Sequence, residues 1–70
     1  MRPNDKSVLD FMCLENKDFT PTQVGRKVFK GVNKNVSKLR ALRSLNKLLA
    51  MGHVARDQRG LYKAKYQRSL

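Results

Sequence analysis

S-K-L-R-A-L-R-S-L-N-K-L-L-A-M-G-H-V-A-R-D-Q-R-G-L-Y, residues 37–62, is the stretch whose reading decides the fold. At about 100° per residue, Ala41, Leu42, Leu45, Leu48 and Leu49 fall within one arc of a helix. Arg40, Arg43, Ser44 and Lys47 fall on the opposite side, and Leu39 lies at the margin. The spacing predicts a helix over about 38–51, closed by Gly52, because glycine takes the left-handed conformation that ends many helices. Val54 and Arg56 then alternate with Ala55. Asp57-Gln58-Arg59-Gly60 has the Asp-first, Gly-last pattern of a type I turn, and Leu61 to Ala64 form the return strand. In this hairpin Val54, Tyr62 and Ala64 face the core, while Arg56, Arg59 and Lys63 stay outside. A lone hairpin is marginal, so it needs helices beneath it, with Phe19–Thr20 as a candidate third short strand.

Working outward, the best-signed point is residue 20. Thr20 as N-cap, Pro21 as first helical residue and Gln23 two further on form a capping box. Phe19 and Val24 are placed as its hydrophobic staple. Gly25 inside this second helix costs about 1 kcal/mol relative to alanine, and close approach of another helix is the reading that explains it. Gly31 stops the helix. The third helix then begins at either Asn33 or Ser37; we favour Ser37, because Val36 before it is an apolar anchor. A first helix over about 5–16, capped by Asn4 or Asp5, carries Val8, Leu9, Phe11, Met12 and Leu14. Cys13 packs there as a small hydrophobe.

Seventy residues make one small domain with a modest core. The formal charge is +11, and it is unevenly placed. Residues 1–20 hold Arg2, Lys6 and Lys17 against Asp5, Asp10, Glu15 and Asp18, a net of −1. Residues 21–70 hold thirteen basic residues against Asp57 alone, a net of +12. Such asymmetry favours a nucleic-acid partner, because neutralising phosphates releases counterions. A membrane-surface role is disfavoured, since the apolar face is needed for the core. A single cysteine allows no intramolecular disulfide, which fits a reducing cytoplasm (or a nucleoid or nucleus).

Catalysis finds no support. His53 is the one histidine and has only Cys13 as another soft ligand, so neither a metal site nor an activated thiol can be assembled. Glycines at 25, 31, 52 and 60 are too scattered to cradle a phosphate. Acids are too few for acid–base work. No enzyme activity and no cofactor is expected. Tyr62 reads as a core residue and Tyr66 as part of a fraying end.

The order helix, capped helix, turn, helix, glycine, hairpin resembles that of a winged helix-turn-helix domain. Ser37-x3-Ala41-x3-Leu45-x2-Leu48-x3-Gly52-x-Val54-x-Arg56, followed by Gly60-x-Tyr62, is similar to a theme shared by small transcriptional regulators of the MarR and ArsR kinds. T-P-T-Q-V-G at 20–25 is similar to the opening of their helix-turn-helix. The resemblance covers about residues 5–64 and singles out no one family. It implies an α+β fold in which three helices precede a two-stranded β-hairpin wing, a domain over 1–64 and a basic tail over 65–70. It further implies sequence-specific binding of double-stranded DNA by a small regulator, alone, as a homodimer or with a partner protein. On this reading Ser37, Lys38, Arg40, Arg43, Ser44 and Lys47 approach the major groove, where Arg can read guanine. Arg56, Gln58, Arg59 and Lys63 on the wing meet phosphates or the minor groove. Thr20, Thr22, Arg26, Lys27 and Lys34 hold the backbone.

The segment between Thr20 and Ser37 is longer than in compact members of the superfamily. Leu39 and Leu42 stand where DNA-reading members often carry polar residues. Asn46 stands where the Z-form-specific branch has its key tyrosine, which disfavours that branch. Two alternatives stay open: a protein-interaction module on a winged-helix scaffold, using Leu39, Leu42 and Leu70, and a binder of structured RNA.

Overall fold

A computed structural model of the chain describes residues 1–66. It is an α+β structure with the order α1 (Pro3–Glu15), α2 (Pro21–Val28), α3 (Lys34–Ala50), β1 (Val54–Arg56) and β2 (Tyr62–Ala64). The two strands pair antiparallel, with Val54 opposite Ala64 and Arg56 opposite Tyr62. Of the basic tail expected over 65–70, only Lys65 and Tyr66 fall among the described residues; 67–70, with Leu70, lie outside them.

α1 starts earlier than the sequence reading placed it. Proline at the first helical position has its backbone angle preset and no N–H to leave unpaired, so Pro3 opens the helix and Arg2 is its N-cap. Neither Asn4 nor Asp5 caps it. The Asp5 side chain turns instead towards α3, where its Oδ1 accepts the Ser44 hydroxyl at 2.7 Å. Asn16 ends α1 in the left-handed conformation that asparagine tolerates, φ 49°.

α2 begins as its capping box requires. The Gln23 N–H donates to Thr20 Oγ1 at 3.2 Å, and the Thr20 N–H donates back to Gln23 Oε1 at 2.9 Å. Val24 is fully buried and Phe19 packs against the core, 5.0 Å from the Phe11 ring. Gly25 is where α2 meets α3. A Cβ there would lie 2.6 Å from the Ser37 carbonyl oxygen and 2.8 Å from its carbon, so only glycine lets the two backbones touch.

α3 starts at Lys34, capped by Asn33, whose Oδ1 accepts the Asn35 N–H at 2.8 Å. Ser37 is therefore not the cap. It sits one turn inside the helix, buried beside Gly25, and its hydroxyl donates to the Lys34 carbonyl at 3.0 Å. The far end closes as the sequence implies. Gly52, at φ 83°, donates to the Leu49 carbonyl and His53 to the Leu48 carbonyl, the paired bonds of a Schellman motif.

The hairpin closes through Asp57 in a turn that ends at Gly60. The Asp57 N–H donates to the Leu61 carbonyl at 3.0 Å, and Asp57 Oδ1 accepts the N–H groups of Arg59 and Leu61. Phe19 adds the expected third strand as a single bridge, exchanging bonds of 2.9 and 2.8 Å with Tyr62. Tyr62 is buried, and its hydroxyl donates to Asn46 Oδ1 at 2.9 Å, tying the hairpin to α3. Beneath these elements Val8, Leu9, Met12 and Cys13 of α1 meet Val24 of α2, Ala41, Leu45 and Leu48 of α3, and Val54 and Ala64.

Candidate nucleic-acid interface

The buried arc of α3 consists of Ser37, Ala41, Ser44, Leu45 and Leu48. Two polar residues belong to it, and this shifts the whole helix relative to the sequence reading. Counting 100° per residue from the middle of that arc, Arg40, Arg43 and Lys47 lie about 85° to 145° round, on the shoulder that faces the start of α1. The crest, about 180° from the core, carries Leu39, Asn46 and Ala50. Lys38 lies on the other shoulder, towards α2, and does not join the Arg40 stripe.

Ser37 and Ser44, expected to approach the major groove, do not reach the surface. Each is 2% exposed, and each hydroxyl is engaged inside the protein. Ser44 serves the shoulder indirectly, by fixing Asp5 and with it the start of α1. That contact opens a groove of about 340 Å³ between the two helices, lined by Arg2, Asn4, Asp5, Arg40, Arg43 and Lys47. Its one carboxylate is already held by Ser44 and lies 3.9 Å from Lys47 Nζ. Among the described residues no ion pair involves Arg2, Arg40 or Arg43. Three guanidinium groups and the Lys47 ammonium therefore share one open groove with a single carboxylate, an excess of positive charge that like-charge repulsion opposes and a bound anion relieves. A first helix beginning at about residue 5 leaves Arg2 outside the site, whereas Pro3 as the first helical residue places Arg2 at the end of α1, beside α3.

A second basic surface belongs to α2 and the turn that follows it. Gln23, Arg26, Lys27 and Lys30 recur at three- and four-residue spacing and line one cleft of about 420 Å³. An adjoining cleft of about 400 Å³ is lined by Arg26, Lys30, Lys34 and Ser37, so Lys34 shares a cleft with Arg26 and Lys30, while Lys27 lines the first cleft. Thr22 is half-buried on α2, and Thr20 is bound into the helix cap on both its side chain and its backbone.

On the hairpin Arg56, Gln58, Arg59 and Lys63 are all exposed, but their charges are not equally available. Arg59 Nε and Nη2 donate to Asp57 Oδ2 at 3.0 and 2.8 Å, and Nη2 lies 3.6 Å from Asp18. The Leu61 N–H and the Arg59 guanidinium hold the Asp57 carboxyl below the usual carboxylate range, and Asp57 raises Arg59 in turn. The tip is thus close to charge-neutral. Arg56, whose guanidinium sits 5.8 Å from the centre of the Tyr62 ring, and Lys63 carry the hairpin's uncompensated charge.

His53 Nδ1 lies 3.0 Å from the Tyr66 hydroxyl, and the Lys65 N–H donates to the His53 carbonyl. Among the described residues no group of three His, Cys, Asp or Glu could hold a metal ion, and no helix is long and apolar enough to cross a membrane. No protein-family model matches the chain, and neither a curated protein nor a solved structure is significantly similar to it.

Proposed function

We propose that this chain is a winged helix-turn-helix domain that binds double-stranded DNA and acts as a small transcriptional regulator in the cytoplasm or nucleoid. α3 enters the major groove, whose width of about 12 Å admits one helix. The shoulder formed by Arg2, Arg40, Arg43 and Lys47 follows one phosphate backbone. Arg43, the shoulder residue nearest the crest, is the group best placed to turn towards a guanine edge. The hairpin is the wing, and Arg56 and Lys63 meet the backbone beyond the end of α3. The observation that carries this reading is the α1–α3 groove, in which three arginines without a carboxylate partner stand beside an exposed helix face.

The charge pattern also supports a duplex over an acidic protein. The basic groups follow helix edges and leave few apolar anchors, whereas protein interfaces concentrate their energy in buried aromatic and apolar residues. RNA duplexes present a deep, narrow major groove that excludes a helix such as α3.

Fluorescence anisotropy of a labelled duplex, titrated with the protein across a range of salt concentrations, tests the proposal. If Arg2, Arg40, Lys47, Arg56 and Lys63 each neutralise one phosphate while Arg43 reads a base, log affinity falls with log salt at a slope of about −4.5. Absence of binding to any duplex at low salt, or equal affinity for duplex RNA, would overturn it.

A further inference from the structure

The crest of α3 is the part of the helix a major groove would receive most deeply, and its chemistry is unlike the rest of the basic surface. Leu39 stands about 180° from the middle of the buried arc and is 55% exposed. Val36, one turn before it, is 40% exposed. The other crest groups offer little for reading bases. Asn46 has its carbonyl oxygen engaged by the Tyr62 hydroxyl, and Ala50 has only a methyl group. Leu39 does nothing for the core, which Ala41, Leu45 and Leu48 fill from the opposite side.

Resting on the reading of α3 as a recognition helix, we propose that Leu39 is a specificity-determining residue that packs against the 5-methyl group of thymine. Thymine is the one base whose major-groove edge presents an apolar group, and an aliphatic side chain is its natural partner. The occupant of this apolar crest is specified by what borders it. Arg40, Arg43 and Lys47 flank Leu39 on one side and Lys38 on the other, all exposed. An apolar ridge bordered by cations on both shoulders complements a groove that is apolar at the thymine methyl and anionic along both rims. A second copy of this chain would bring the same cations against each other. Leu39 and Arg43 are separated by one helical turn on neighbouring lines of α3, so the preferred site holds a thymine close to the guanine that Arg43 reads.

Uracil-for-thymine replacement isolates the methyl group, since it leaves every hydrogen-bonding atom of the base pair in place. A duplex enriched from a random pool by the wild-type protein is compared with the same duplex carrying deoxyuridine at each thymine in turn, against the wild type and Leu39→Ala. Wild-type affinity is expected to fall about three- to fourfold at one or two thymines, the equivalent of losing one buried methyl contact. Leu39→Ala is expected to bind thymine and uracil duplexes equally. Equal sensitivity in both proteins, or insensitivity in the wild type, overturns the assignment of Leu39 while leaving duplex binding intact. Failure to enrich or bind any duplex overturns the recognition-helix reading itself. Sedimentation of both proteins without DNA completes the test: a dimer that Leu39→Ala dissociates would give this crest to a second copy and overturn the proposal.

Discussion

Replacing Gly25 with alanine sets two physical effects of opposite sign against each other. Inside an isolated helix the change stabilises by about 1 kcal/mol, because alanine has less backbone freedom to lose. Here the new Cβ would stand 2.6 Å from the Ser37 carbonyl oxygen, where ordinary contact begins at 3.4 Å. α2 and α3 must separate by about 0.8 Å, and the obstructing atoms are backbone of a helix that cannot rotate away. Overpacking of this kind costs about 1–3 kcal/mol, and a backbone obstacle belongs at the upper end. The net expectation is a loss of about 1–2 kcal/mol from a domain whose whole stability is about 4–10 kcal/mol. For a chain of this size that lowers the melting temperature by about 5–15 °C. Circular dichroism melts of the wild type and Gly25→Ala, checked by urea unfolding, provide the comparison. An unchanged or raised melting temperature would refute the claim that glycine is required for contact between α2 and α3.

Further expectations concern single groups. Ser44→Ala removes the hydroxyl that holds the buried Asp5 carboxylate and is expected to cost about 1–3 kcal/mol in urea unfolding; a smaller loss would mean that Asp5 finds another partner. Arg43→Ala is expected to weaken duplex binding by about 1–3 kcal/mol and relax preference at one base pair, whereas Arg40→Ala is expected to bring the salt slope closer to zero by about 1 without changing preference. Arg59→Ala, whose charge is matched by Asp57 and Asp18, should change the slope by less than half that, and an equal change would contradict the neutral tip. Because the folded state lowers the Asp57 pKa, its contribution to the hairpin is complete above the unfolded carboxylate value of about 4 and disappears as pH falls through the lower folded value. Exchange protection of the Leu61 amide should follow that course, and Asp57→Asn should remove the dependence; protection unaltered down to strong acid would contradict it.

The parts of the fold that were legible in the sequence are those written in short-range chemistry. Thr20, Pro21 and Gln23 specify a helix start within four residues, Gly52 specifies a helix end, and Asp57 with Gly60 specifies a turn. The parts that were not legible depend on contacts between distant residues or on a choice between equivalent signals. Asn33 and Ser37 are both good caps, and the helix that starts after Asn33 is the one in which Ser37 lies inside α3, against Gly25 of α2. Asp5 and Ser44 are 39 positions apart, and nothing near either announces the other. Once two serines join the buried arc, the arginine stripe moves from the crest of α3 to its shoulder. Arg2 then gains a place in the groove, and Leu39 takes the position that periodicity had reserved for a base-reading arginine. The charge excess of the last fifty residues was visible at once. Which of those charges were already neutralised, Arg59 above all, was not.

Backbone amide shifts followed during titration with a short DNA duplex test the central claim most directly. Binding through the shoulder and crest of α3 predicts the largest changes at Leu39, Arg40, Arg43 and Lys47, at Arg2 and Asp5 at the start of α1, and at Arg56 and Lys63 of the hairpin. Changes confined to the remainder of α1, with α3 and the hairpin silent, would contradict the account and assign the fold to protein recognition instead.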